Sequence, residues 1–229
     1  MKKYAIIVAG GTGTRMKGDV PKQFMLLNGK PIIQYSIEAF FLFDPSIQII
    51  LVIHPGFMTY WEKLCLEFKI SIPHKVVPGG KTRFDSVKNG LNLIDEDSFV
   101  AIQDAARPVI SANFIEHLFS EAGTYGSAMP GVSLNDTIRM IDGDTSHQLD
   151  RTFLRAMQTP QVFKISELKR AYTQSYQPIF TDDASVMQSA GFPLHLTEGR
   201  PANIKITHKQ DIALAEVLLK REPLRHSDH

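Results

Sequence analysis

The stretch Val8–Phe24, VAGGTGTRMKGDVPKQF, joins a glycine-rich turn to two cations, Arg15 and Lys22, seven residues apart. Such turns expose backbone N–H groups that bind anionic oxygens or read the edge of a base. A Walker A loop requires Lys-Ser or Lys-Thr after its last glycine, whereas Arg15-Met16 follow Gly13-Thr14 here. A dinucleotide fingerprint starting at Gly11 requires glycine or alanine at Met16, so that reading fails too. An arginine fork and a lysine point charge suit charge stabilisation on a transferred phosphoryl group. Two solvated surface cations after a strand-turn are the plain alternative. Pro21 disfavours helix at Val20, which puts the cations on an irregular loop rather than on one helical face.

The elements that must position this loop alternate along the chain. YAIIVA (4–9), IQIILVI (47–53), HKVV (74–77), SFVAIQ (98–103) and GSAMPGV (126–132) read as strands. Between them, PIIQYSIEAFFLF (31–43), FMTYWEKLCLEF (57–68), TRFDSVKNGLNLI (82–94) and SANFIEHLFSEA (111–122) read as helices, with Pro31 in a first turn and Ser111 as a cap. Strands alternating with helices imply βαβ units: an α/β fold with a mostly parallel twisted sheet and helices on both faces. Ligands on such sheets bind at the carboxyl ends of the strands. The alternation breaks at SLNDTIRMIDGDTSHQLDR, which reads as a hairpin with its turn at Asp142-Gly143. This hairpin does not complete the sheet and projects as an arm over about residues 134–154. Helices at 166–176, near 180–191 and at 209–222 follow, and no linker or repeat divides residues 1–229 into two domains.

Composition narrows the class. Hydrophobic residues are 43% and charged residues 21% of 229, ordinary for a globular protein with a sizeable core. Lys+Arg is 25 against Asp+Glu 24, which argues against nucleic acid or an anionic membrane surface as partner. The single cysteine, Cys65, excludes an internal disulfide and reads as a core thiol in a reducing compartment. No apolar run approaches a membrane span and the N-terminus enters a strand at once, so the expectation is a cytoplasmic protein.

Four further segments follow the glycine-rich loop in order. They are GGKTRFDSVKNGL (79–91), DAARP (104–108), TPQVF (159–163) and TDDASVM with EGRPANIKIT (between 181 and 207). Together the five segments resemble the 2-C-methyl-D-erythritol 4-phosphate cytidylyltransferase family, from residue 4 to about 220. The resemblance implies a Rossmann-like nucleotidyltransferase fold with a β-hairpin dimerisation arm. It also implies a reaction in which CTP and methylerythritol 4-phosphate give the cytidine diphosphate derivative and pyrophosphate, with magnesium on the triphosphate.

Site residues carry over by position. The resemblance implies Arg15 and Lys22 as the transition-state cations. It implies CTP contacts from Ala9, Gly10, Gly11, Gly13, Gly80, Lys81, Arg83, Ser86 and Ala105, the small residues letting backbone atoms approach the cytosine. Asp104 and Arg107 match contacts to the second substrate and ribose, with Asp104 also a ligand for magnesium. Thr181 and Lys205 match substrate-phosphate contacts. Thr137 and Arg151 lie in the arm, which in the family crosses a homodimer to reach the partner's site.

Alternatives remain at several positions. Arg83 suits either the triphosphate or an ion pair with Asp85 or another carboxylate. Asp182-Asp183 suits a metal pair or a helix cap, and Asp142–Asp144 resembles a metal motif but is better explained as a turn. His226 and His229 read as solvated tail residues. Gln103 stands where many relatives have histidine, and Lys81 where some have an acidic residue. Ribitol 5-phosphate cytidylyltransferase shares AGGTGTRM and PKQF, but differs at DAARP and lacks EGRPANIK. A nucleotide-binding module without turnover would have little use for Arg15, Lys22, Asp104, Arg107 and Lys205 together.

Overall fold

Near-continuous apolar runs become the buried strands of one sheet in this computed structural model, which describes residues 2–11, 20–95 and 97–221. The first half contains β1 (Lys3–Ala9), the ribbon β2 (Leu26–Leu27) and β3 (Lys30–Pro31), α1 (Ile32–Phe43), β4 (Gln48–Ile53) and α2 (Met58–Glu67). Then come β5 (Lys75–Pro78), α3 (Arg83–Leu91), β6 (Phe99–Asp104), α4 (Ala112–Tyr125) and β7 (Ser127–Ser133). The hairpin β8 (Ile138–Asp142) and β9 (Thr145–Leu149) is followed by β10 (Arg155–Met157), β11 (Gln161–Lys164), α5 (Ile165–Ala171), α6 (Asp183–Ser189), β12 (Leu196–Glu198) and α7 (Gln210–Arg221).

The sheet runs β5-β4-β1-β6-β11-β7, with β10 and β12 also paired to β7. Strands β5, β4, β1 and β6 are parallel to one another, and β12 is parallel to β7. Only β10 and β11 oppose the rest. The sequence pattern shows no strand at TPQVF, yet β11 sits between β6 and β7 and pairs antiparallel with both. Four residues behind Pro160 are too few to show a period.

Strand alternation assigns the two faces. Ala5, Ile7 and Ala9 of β1 pack with Ile37 and Phe40 of α1, Trp61 of α2 and Phe114 of α4. Tyr4 and Ile6 face the other way, onto Val87 of α3, Leu168 of α5 and Val186 of α6. Burial of these side chains contributes about 25 cal/mol per Å² of apolar surface, which makes each interior strand costly to remove. Ser111 caps α4 by accepting from the Phe114 N–H at 3.3 Å, and Gly126 ends that helix at φ 86°. Pro31 falls one place earlier than the expected first turn, at the N-cap of α1.

The hairpin forms, with its central residues at Gly143 and Asp144 rather than Asp142 and Gly143. Asp142 pairs with Thr145, and Gly143 takes a positive φ of 55°. Among the described residues β8 and β9 pair only with each other. Cys65 is half-buried against the α2 cluster; burial and then Glu62 push its thiol pKa up, as befits a packing residue.

Candidate active site

The carboxyl ends of β1, β4 and β6 lie side by side, because Ala9 pairs with Ile53 and Val8 with Asp104. Two backbone bonds extend the ladder into the following loops: Ala105 N–H to the Val8 carbonyl at 3.1 Å, and Gly79 N–H to the Ile53 carbonyl at 2.7 Å. A cleft of about 480 Å³ opens above these ends. It is where the strand-end rule for open α/β sheets puts a ligand.

One end of the cleft is built for close approach. A Cβ on Gly10 would lie 2.8 Å from Ser86 Oγ, and one on Gly80 would lie 2.2 Å from Asp85 Cβ. These glycines let two loops and the start of α3 converge without side chains between them. Thr82 caps α3 and shares a reciprocal capping box with Asp85, which fixes the turn. Gly80 N–H donates to Ser86 Oγ at 3.1 Å, and Ser86 Oγ donates to the Thr82 carbonyl at 2.9 Å. The hydroxyl proton of Ser86 is thereby spent, and its remaining lone pair is an acceptor.

The other end holds a cluster of charge around Asp104. Lys205 Nζ is 2.8 Å from Asp104 Oδ2, Arg83 Nε is 3.4 Å from Oδ1, and Arg107 Nε is 3.8 Å from Oδ2. Burial alone would raise the Asp104 carboxyl, but Arg83 and Lys205 outweigh it and hold the pKa well below the usual carboxylate range. Asp104 is therefore ionised across physiological pH. Arg83 reaches past it to Asp183, whose Oδ2 accepts from Nη2 at 2.7 Å, while Tyr172 donates to Oδ1 at 2.6 Å. Burial lowers the Arg83 pKa; Asp183 and Asp104 more than reverse this, so the guanidinium stays charged. Among carboxylates Arg83 pairs with Asp183 and Asp104 rather than with Asp85, which is occupied by its capping box. Asp182 caps α6 and Asp183 pairs with Arg83, so the cap and the ion pair account for both carboxylates.

Between the two ends lies the Lys22–Phe24 turn. Phe24 anchors it against Phe57, Tyr60 and Trp61, with ring centroids 5.6 to 6.2 Å apart. Lys22 Nζ donates to the Ile206 carbonyl at 2.7 Å. Gln23, buried in the same turn, donates through Nε2 to the carbonyls of Ala9 and Gly11 at 2.9 and 3.0 Å. It thereby ties the turn to the start of the glycine-rich loop.

Ala9, Gly10, Gly11, Lys22, Gly80, Lys81, Arg83, Ser86, Asp104, Ala105 and Lys205 all line this one cleft. Gly13 and Arg15 lie outside the described residues, as do His226 and His229. Arg107 stands behind the wall: its Nη1 donates to the Asn203 carbonyl at 2.7 Å and its Nη2 to the Met157 carbonyl at 3.5 Å. Within this chain it braces Asp104 and the 200–206 loop and is not among the residues lining the cleft. Thr137, Arg151 and Thr181 are exposed and do not line the cleft within this chain; Arg151 donates to the Asn135 carbonyl at the hairpin base. Sequence reasoning missed Gln23, His54, Thr82 and Thr207, which also line it. His54 was reachable from the strand-end rule, since it follows the last residue of β4. Gln103 supports the site from beneath: Thr159 Oγ1 donates to its Oε1 at 3.0 Å, and Asp104 N–H donates to that same Thr159 oxygen at 3.0 Å.

The family model for 2-C-methyl-D-erythritol 4-phosphate cytidylyltransferase (IspD) matches residues 4–221. The chain belongs to this family. Its similarity to the Bacteroides thetaiotaomicron 2-C-methyl-D-erythritol 4-phosphate cytidylyltransferase is 42% identity over 219 residues, covering 96% of this chain and 100% of that protein. The Bacteroides fragilis enzyme of the same name is 43% identical over 219 residues with the same coverage. Among solved structures, the Francisella tularensis 2-C-methyl-D-erythritol 4-phosphate cytidylyltransferase superposes with a TM-score of 0.78 at 31% identity, covering 96% of this chain and 100% of that one. The family fold is α/β and nucleotidyltransferase-like, which agrees with the sheet described above. Among the described residues no helix is long and apolar enough to cross a membrane.

Proposed function

We propose that the protein transfers CMP from CTP to 2-C-methyl-D-erythritol 4-phosphate in the cytoplasm, releasing pyrophosphate. The observation that carries the reading is the division of one cleft into a glycine-lined end and a cationic end. The first suits a flat base approached by backbone atoms, and the second suits phosphates. The lone pair left on Ser86 Oγ accepts from an exocyclic amine, which cytosine has and uracil lacks. An oxygen of the acceptor phosphate attacks the α-phosphorus, a new P–O bond forms, and the bond to pyrophosphate breaks. Positioning and charge neutralisation supply the rate in such transfers. Lys22 and Arg15 offset charge developing on the transferred group, and Lys205 takes the acceptor phosphate on leaving Asp104.

A divalent cation suits this cleft when it arrives with the triphosphate. Asp104 is the one carboxylate among the described lining residues, and it is ionised. Magnesium beside a triphosphate needs only one or two protein carboxylates, the rest of its shell coming from phosphate and water. Asp104 would hold it, and the ion would screen the negative charge of the triphosphate.

The arm at about residues 134–154 makes the site composite in a homodimer. Supporting this, the hairpin carries exposed Met140 and Ile141, and an isolated two-stranded ribbon is marginal without a packing partner. Arg151 and Thr137 would then serve the partner's cleft, consistent with neither of them lining the cleft of its own chain. Transfer of label from α-phosphate-labelled CTP to methylerythritol 4-phosphate tests the assignment.

A further inference from the structure

His54 lines the cleft but lies outside every motif that carries the family likeness. Its ring is pinned along one edge. Gly56 N–H donates to Nδ1 at 3.1 Å, and a Cβ on Gly56 would come within 3.3 Å of the same nitrogen. Phe57, in the turn that His54 caps, lies against the imidazole with centroids 5.8 Å apart. A backbone N–H can only donate, so Nδ1 carries a lone pair and the proton of the neutral ring is on Nε2. Among the described residues no hydrogen-bond partner serves Nε2. The ring is a fixed donor at the wall of the cleft.

Its place in the sheet says which part of a nucleotide it meets. The preceding residue, Ile53, pairs with Ala9 of β1 and Pro78 of β5, and its carbonyl accepts from Gly79 N–H. His54 therefore follows the strand lying between the loops that carry Gly10 and Gly80. The Asp104 cluster ends β6, on the far side of β1. Backbone carbonyls and the spent Ser86 hydroxyl accept from a base, and donors to it must come from loop N–H groups or from a side chain such as His54. A pyrimidine presents acceptors as well, at its 2-carbonyl and N3, and these need an N–H.

We propose that His54 is a nucleotide-binding residue whose Nε2–H donates to an acceptor on the pyrimidine base. This rests on the CTP reading above. The test separates the two ring nitrogens. His54→Asn keeps an oxygen where Nδ1 accepts from Gly56 but removes the donor, whereas His54→Gln places an amide nitrogen near Nε2 and gives up the cap. Calorimetry with CTP should show His54→Asn binding about 5- to 10-fold more weakly than the unaltered protein. His54→Gln should stay within about twofold while melting at a lower temperature. The same loss for His54→Asn with dCTP supports a contact to the base. Disappearance of that loss with dCTP would put the contact on the ribose and overturn the base assignment. Full CTP affinity in His54→Asn, with His54→Gln the weaker binder, would show that the histidine serves only its turn. Failure of the unaltered protein to bind CTP would bring down the functional assignment and this proposal together.

Discussion

Arg83 Nη2 donates to Asp183 Oδ2 at 2.7 Å, joining the wall of the cleft to a fully buried carboxylate 100 residues away in sequence. The pair couples the start of α3 to α6, and Tyr172 satisfies the second oxygen of Asp183. Removing one member of a buried pair leaves an uncompensated charge, so Asp183→Ala should lose about 3–5 kcal/mol of unfolding free energy. Tyr172→Phe removes one hydrogen bond and keeps the ring stack on Phe84, so it should lose about 1 kcal/mol. Urea titrations of both variants check this. A smaller loss for Asp183→Ala than for Tyr172→Phe would contradict the pair's role as the anchor of Arg83.

Two cleft glycines make opposite predictions. A Cβ on Gly80 would overlap Asp85 at 2.2 Å, against the capping box of α3, whereas a Cβ on Gly11 meets nothing within 4 Å among the described residues. Gly80→Ala should destabilise by about 1–3 kcal/mol and weaken CTP binding. Gly11→Ala should stay within about 0.5 kcal/mol of the unaltered protein. Melting curves of the two variants, with and without CTP, distinguish them.

The charge cluster sets a pH dependence with a definite sign. Asp104 is held below its unfolded value of about 3.9, so its contribution is present above that value and is lost as pH falls toward the folded one. Asp104→Asn cannot titrate there. The stability difference between the unaltered protein and Asp104→Asn should therefore shrink on going from about pH 5 to about pH 2. A constant difference across that range, read from urea midpoints, would mean that the cations do not depress this carboxyl.

Much of this arrangement was legible in the sequence, and the exceptions share a cause. The apolar runs of β1, β4 and β6 and the Ser111 cap follow from local pattern and chemistry. So does the hairpin turn, to within one residue. The partner of Arg83 did not, because Asp183 is reached only through tertiary packing, while Asp85 is near in sequence. Strand β11 escaped for the same reason: Gln161–Lys164 is held by its neighbours β6 and β7 rather than by a period of its own. The motif reads Arg107 as a substrate contact, and the part its Nη1 and Nη2 play within the chain, donating to backbone carbonyls at 203 and 157, had no local signal.

Arm exchange predicts complementation between damaged sites. Arg15→Ala and Arg151→Ala should each be nearly inactive alone. In a mixed dimer, one site carries both substitutions and the other carries neither. Random pairing makes about half the dimers mixed, so co-expression should restore roughly a quarter of full activity. Verified mixed dimers with no recovery would place Arg151 in its own chain's site.

Pyrophosphate release from CTP, UTP and ATP, each offered with methylerythritol 4-phosphate and with ribitol 5-phosphate, reads out both substrate choices at once. Turnover is expected with CTP and methylerythritol 4-phosphate. UTP should be poorer by about tenfold or more, because a group built to pair the cytosine amine is left unsatisfied at a loss of about 1–3 kcal/mol. Equal rates with UTP, or faster release with ribitol 5-phosphate, would contradict the proposed substrate choice.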